Sequence, residues 1–93
     1  MDAEKNGNAT QSVALTIGSA ILSKVNSEFS LSTQTLSLAT ITTVADVLKH
    51  IGLAEDTVLL IVLNDTMVPR TTIQTQQLTN GDKLSLMPPI HAG

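Results

Sequence analysis

The sequence predicts a small α+β domain of two layers, a mixed sheet of about four to five strands with one main helix packed on one face. Three observations carry that prediction. The chain has 93 residues, enough for one hydrophobic core and too few for a cleft between two lobes. Apolar and polar residues alternate with the period of a strand in three places, and a fourth segment is an unbroken apolar run. Only one segment has a sustained helical period. A single helix covers only one face of a sheet, so two layers follow.

Residues 1–11 are polar, contain Gly7 and have no periodicity; they predict a disordered N-terminal tail. The domain spans residues 12–88, and 89–93 form a flexible C-terminal tail. In the first strand Val13, Leu15 and Ile17 alternate with Ala14 and Thr16. Gly18-Ser19 breaks it, and Ile21, Leu22 and Val25 have the spacing of one helical turn. Asn26-Ser27-Glu28 reads as a loop, with Phe29 and Leu31 expected to anchor it to the core. The second strand is expected at 35–39, with Leu36 and Leu38 on one face, as the partner of the first in an antiparallel hairpin.

The helix is expected over residues 44–51. Val44, Val47, Leu48 and Ile51 fall at i, i+3, i+4 and i+7. Thr43 stands at the N-cap with Asp46 three residues on, Lys49 and His50 occupy the last turn, and Gly52 supplies a left-handed stop. Residues 58–63 are apolar throughout, which suits a strand apolar on both faces. Asn64-Asp65 turns the chain. Residues 66–68 make a short strand, and Pro69 marks it as an edge. In the polar stretch 70–79, Ile73 and Leu78 are the anchors. Asn80-Gly81-Asp82 is a tight turn, followed by the last strand over Lys83–Met87, and Pro88-Pro89 ends strand pairing.

Composition excludes several function classes. Phe29 is the only aromatic residue and net charge is −3. Neither the stacking rings nor the basic footprint of a nucleic-acid module is present. The chain contains no cysteine, which removes disulfides, thiolate metal sites and a cysteine nucleophile. No metal site is expected, because His50 and His91 have no second ligand at metal-binding spacing. Glu55-Asp56 reads as a solvated loop pair. No serine or threonine sits in a nucleophile-elbow context, and no glycine-rich phosphate loop exists. No apolar stretch approaches the length of a membrane span. The acidic, polar N-terminus lacks the pattern of a signal peptide, so a cytoplasmic protein without membrane association is expected. The face of the sheet away from the helix should carry an apolar patch built from the 58–63 strand, Leu84 or Leu86, and Met87, a surface suited to a partner.

The element order fits a ubiquitin-like β-grasp, in which the first and last strands pair in parallel at the centre of the sheet. Two segments then become specific. Val62-Leu63-Asn64-Asp65-Thr66-Met67-Val68-Pro69-Arg70 is followed by Leu78-Thr79-Asn80-Gly81-Asp82-Lys83-Leu84-Ser85-Leu86-Met87-Pro88-Pro89-Ile90-His91-Ala92-Gly93. Together they resemble the small sulfur carriers, a family that includes the molybdopterin synthase small subunit (MoaD) and the thiamine sulfur carrier (ThiS). Thr42-Thr43-Val44-Ala45-Asp46-Val47-Leu48 resembles the start of that family's single helix. The resemblance covers roughly residues 13–93. The family ends in Gly-Gly, whereas this chain reads Ala92-Gly93.

The resemblance implies that the Gly93 carboxylate is adenylated by a ubiquitin-activating-like partner enzyme using ATP. It is then converted to a thiocarboxylate, which passes sulfur to an accepting synthase in molybdopterin or thiamine biosynthesis. The chain itself would be the carried substrate, with no cofactor bound and no activity of its own. The last strand and tail would dock the partner through Met87, Pro88, Pro89, Ile90, His91 and Ala92. A tail that threads a narrow channel favours residues without a Cβ, so Ala92 and the bulky His91 bear on recognition by the activating enzyme. Arg70, the only arginine, reads either as a surface ion pair or as an anchor at a partner interface; we place it with the partner-binding residues. Two further readings stay open: a β-grasp binding module without C-terminal chemistry, and a ubiquitin-like protein modifier.

Overall fold

The computed structural model describes residues 11–39, 41–54 and 56–89. Glu55, Ile90, His91, Ala92 and Gly93 lie outside the described residues, as does the expected N-terminal tail except for Gln11. In chain order the elements are β1 (Ser12–Ile17), α1 (Ser19–Leu22), β2 (Thr33–Ser37), α2 (Val44–His50), β3 (Leu60–Leu63), β4 (Thr66–Met67) and β5 (Lys83–Met87). Single 3₁₀ turns occupy Ser27–Phe29 and Arg70–Thr72. The strands form one five-stranded sheet in the order β2-β1-β5-β3-β4. β1 and β5 run parallel at the centre, with Leu15 beside Leu84, and the remaining neighbours are antiparallel. This is the expected mixed sheet of a β-grasp with one main helix.

The core lies between the sheet and α2. Val13, Leu15 and Ile17 of β1 point into it, as do Leu84 and Leu86 of β5 and Ile61 and Leu63 of β3. Val44, Val47 and Ile51 of the helical stripe are fully buried against them. Because α2 has only seven residues, packing and capping must hold it. Thr43 and Asp46 form a capping box, in which the Asp46 N–H donates to the Thr43 hydroxyl at 3.2 Å and the Thr43 N–H donates to the Asp46 carboxylate at 3.1 Å. Two more N–H groups of the first turn are satisfied from a distant loop: Val44 donates to the Gln76 carbonyl and Ala45 to the Ile73 carbonyl, both at 3.0 Å. At the other end Gly52 takes φ of +88°, and a Cβ there would stand 2.5 Å from the Asn26 amide oxygen. Glycine is required on both counts.

Four local expectations are corrected. β2 spans Thr33–Ser37 instead of 35–39, because Gln34 faces inward beside Leu36 and its amide donates to the Phe29 and Leu31 carbonyls. β3 begins at Leu60, so Val58 and Leu59 precede the ladder and Val58 is 68% exposed. Phe29 packs against the core and meets the His50 ring at 5.0 Å, but Leu31 is exposed and anchors nothing. The fourth concerns Leu84 and Leu86, which belong wholly to the core and contribute nothing to the open face.

Candidate functional site

β5 leads into the C-terminal residues from the centre of the sheet. Its even-numbered leucines face the core, so Lys83, Ser85 and Met87 face the uncovered side. Cross-strand register puts Leu60 opposite Met87, Val62 opposite Ser85, and Met67 opposite Val62. Leu60, Val62, Met67 and Met87 therefore form one apolar strip on that face, with Met67 61% exposed. The strip keeps the 58–63 strand and Met87 of the expected patch, adds Met67, and lacks Leu84 and Leu86, which face the core.

The chain leaves β5 at Pro88, exposed, and Pro89, half-buried. Its point of departure is gripped by the corner between β1 and α1. The Gly18 N–H donates to the Leu86 carbonyl at 2.7 Å. A Cβ on Gly18 would stand 3.1 Å from Pro88 Cδ and 3.3 Å from Met87 Sδ. Gly18 has φ −63° and ψ 150°, a conformation open to any residue, so what glycine supplies here is clearance for Pro88. The sequence shows Gly18 only as a strand breaker; the residues it clears lie about seventy positions on, and no local signal links them.

Arg70 opens the 3₁₀ turn after β4 and donates from Nη1 to the Thr57 carbonyl. Thr57 lies just before β3, whose first residue pairs with Met87. Arg70 is thus tied to the end of the sheet from which Pro88 departs. It forms no ion pair among the described residues; it braces the approach to β3 and also edges a groove of about 560 Å³ between α2 and residues 70–74, with Asp46, Lys49, Leu53 and Ile73. Met87, Pro88 and Pro89 are brought together, whereas Ile90, His91, Ala92 and Gly93 lie outside the described residues.

Two carboxylates, Asp46 and Asp82, are held by the caps and turns of the fold. Hydrogen bonds from the Thr42 N–H, the Thr42 hydroxyl and the Thr43 N–H hold the Asp46 carboxyl down at about 2. Desolvation alone would raise Asp82, but hydrogen bonds from the Thr79 N–H, the Asn64 amide and the Thr79 hydroxyl outweigh it and lower its pKa. Asn64 in turn accepts from the Lys83 N–H at 2.8 Å, so the β3–β4 turn and the turn before β5 lock together. Among the described residues no polar or charged side chain is buried and no cluster of three metal-ligating side chains forms. No helix among them is long and apolar enough to cross a membrane.

The family model described as "ThiS family" matches residues 22–93, from α1 through Gly93. The chain belongs to the ThiS family. The crystal structure of a thiamine biosynthesis protein (ThiS) from Geobacter metallireducens is similar to this ThiS-family chain in fold. It has a TM-score of 0.57 at 16% identity, covering 86% of this chain and 99% of that one. No curated protein sequence matches the chain significantly. ThiS-family membership bears out the resemblance to small sulfur carriers and supports a carrier role.

Proposed function

We propose that this ThiS-family chain carries sulfur on Gly93 for thiamine biosynthesis. The observation that carries the reading is the family match, which runs through the β5 strand and the tail to Gly93. Of the two pathways the sequence left open, the family favours thiamine over molybdopterin, and the similar structure is itself named a thiamine biosynthesis protein.

In this reading one carboxylate oxygen of Gly93 attacks the α-phosphorus of ATP held by the partner, and pyrophosphate leaves. Hydrosulfide then adds at the acyl carbon, and AMP departs with the oxygen, leaving the thiocarboxylate. The C–S bond replaces the C–O bond, and the thiocarboxylate transfers its sulfur to an accepting synthase. The chain supplies the acyl group and the docking surface; the partner supplies the catalysis, in the cytoplasm where ATP is abundant. The apolar strip of Leu60, Val62, Met67 and Met87 is the docking surface, and Arg70 offers a separate contact beside the α2 groove. The Gly18 corner holds the end of β5, through the Gly18–Leu86 hydrogen bond and the clearance for Pro88.

The test is intact mass spectrometry after incubation with ATP, a sulfide source and the adenylating enzyme of the same cells. The expected product has one oxygen replaced by sulfur, localised to Gly93. An unchanged mass, with the enzyme active on another carrier, overturns the proposal. Ala92→Gly is expected to speed activation by removing a methyl from the channel, and an unchanged rate removes any role for Ala92.

A further inference from the structure

The two edges of the sheet are protected to different degrees. β4 has two residues and is followed by Pro69, with Asp65 and Arg70 close on either side. Short length, proline and charge are the usual guards of an edge. β2 has five residues and none of these guards. From Phe29 to Ala45 the sequence contains no Asp, Glu, Lys, Arg, Pro or Gly.

The hydrogen-bond phase shows which backbone groups β2 presents. The Ile17 N–H donates to the Ser32 carbonyl and the Leu38 N–H to the Gln11 carbonyl, both at 2.8 Å. Ladder bonds alternate along an antiparallel strand. Ser32, Gln34, Leu36 and Leu38 therefore direct their backbone groups at β1, and Thr33, Thr35 and Ser37 direct theirs away from the sheet. The side chains of these three are exposed, small and uncharged. They stand beside Thr16, Ala14 and Ser12 on the open face.

We propose that a second copy of this chain pairs along β2, antiparallel, about a two-fold axis at Thr35, so that one sheet continues through both copies. The occupant is a second copy because the edge is complementary to itself. Thr33 and Ser37 lie equally far from Thr35, so under the two-fold axis Thr35 pairs with its own counterpart and Thr33 with Ser37. Each pair exchanges two backbone hydrogen bonds. No like charges meet across the axis; the net charge of −3 is carried outside the segment. A five-residue edge buries less than a standard stable interface, so the association is weak and depends on concentration. β1 separates β2 from β5, so the pairing edge does not include β5.

The experiment is sedimentation equilibrium of the full chain from micromolar to millimolar concentration, paired with amide hydrogen exchange. The expected result is a monomer–dimer equilibrium, with exchange at Thr33 and Thr35 slowing as concentration rises. Thr35→Lys is expected to weaken association about fivefold by opposing two ammonium groups at the axis. Thr35→Pro weakens it further, because it removes the donated bonds at the axis and spares the β1 ladder. Thr66→Lys, on the guarded edge, leaves association unchanged. Circular dichroism confirms that each variant is folded, and Thr33→Lys replaces any that is not. A monomer at every concentration overturns the proposal. So does a dimer that survives both Thr35 variants, or one dissolved by Met67→Lys on the open face instead. Association of β2 only with an added extended peptide, and not with its own copy, also overturns it.

Discussion

The two faces of β5 meet opposite environments across one peptide unit. Leu86 is fully buried between the sheet and α2, while Met87, the next residue, lies half-buried on the face that α2 does not cover. One strand therefore serves two purposes by parity alone. Its inward side chains hold the fold together, and its outward ones set Met87, with Leu60 and Val62 of β3, on the open face, where the proposed docking would use them. The difference teaches that stability and recognition are separable here, side chain by side chain, although they share a backbone.

The largest expected effect is on the covered face. Leu86→Ala should destabilise the domain by about 2–5 kcal/mol, because the site is closed on all sides and a cavity remains. Met87→Ala should change stability by less than about 1 kcal/mol, yet slow activation by the partner enzyme. Chemical denaturation of both variants, with activation rates alongside, checks the contrast. Equal destabilisation by the two would break the comparison between faces.

Gly18 lies where the faces and the tail meet, and its substitution should have an intermediate effect. Gly18→Ala places a methyl 3.1 Å from Pro88 Cδ. Overpacking of this kind costs on the order of 1 kcal/mol. The sharper readout is position: the Met87 methyl and Pro88 Cδ resonances should shift while those of Leu15 and Leu84 do not. Shifts spread evenly through the core would mean that Gly18 serves β1 generally and not the departure of the tail.

Much of this arrangement was legible in the sequence, because short-range patterns dictate it. The α2 stripe, its Thr43 cap and its Gly52 stop depend on residues within one or two turns of each other. The alternation in β1 and β5 fixed their buried sides within the strands. The unbroken apolar run had no period to mark where pairing begins, so β3 was expected two residues too early. In β2 the inward Gln34 looks like a surface residue until the Phe29 and Leu31 carbonyls that satisfy it are seen. The clearance at Gly18, the groove beside Arg70 and the bonding of Ala45 to Ile73 all join distant segments, and no local pattern encodes them. The face of Leu84 and Leu86 was legible only as an alternation; the sheet had to be assembled to show which side was covered.

The smallest expected effect concerns pH, and it acts through the helix that covers one face. Hydrogen bonds from Thr42 and Thr43 hold the Asp46 carboxyl at about 2, below the ordinary aspartate value of 3.8. A lowered pKa means that the native state favours the carboxylate, so its stabilising contribution is complete above about 4 and is lost as pH falls through 3.8 toward 2. Against desolvation, Asp82 is shifted in the same direction by hydrogen bonds from Thr79 and Asn64, so its contribution is likewise lost as pH falls. Asp46→Ala should therefore be less stable than the unsubstituted protein at pH 7, with the gap closing as pH approaches 2. Thr43→Ala removes the other half of the capping box and should cost about 1 kcal/mol. Most of that loss should persist at low pH, since the Thr43 hydroxyl does not titrate. Urea denaturation of the three proteins across this range checks both expectations. A gap for Asp46→Ala that stays constant down to pH 2 would show that the carboxylate's charge contributes nothing, and that the cap holds α2 over the covered face through neutral hydrogen bonds alone.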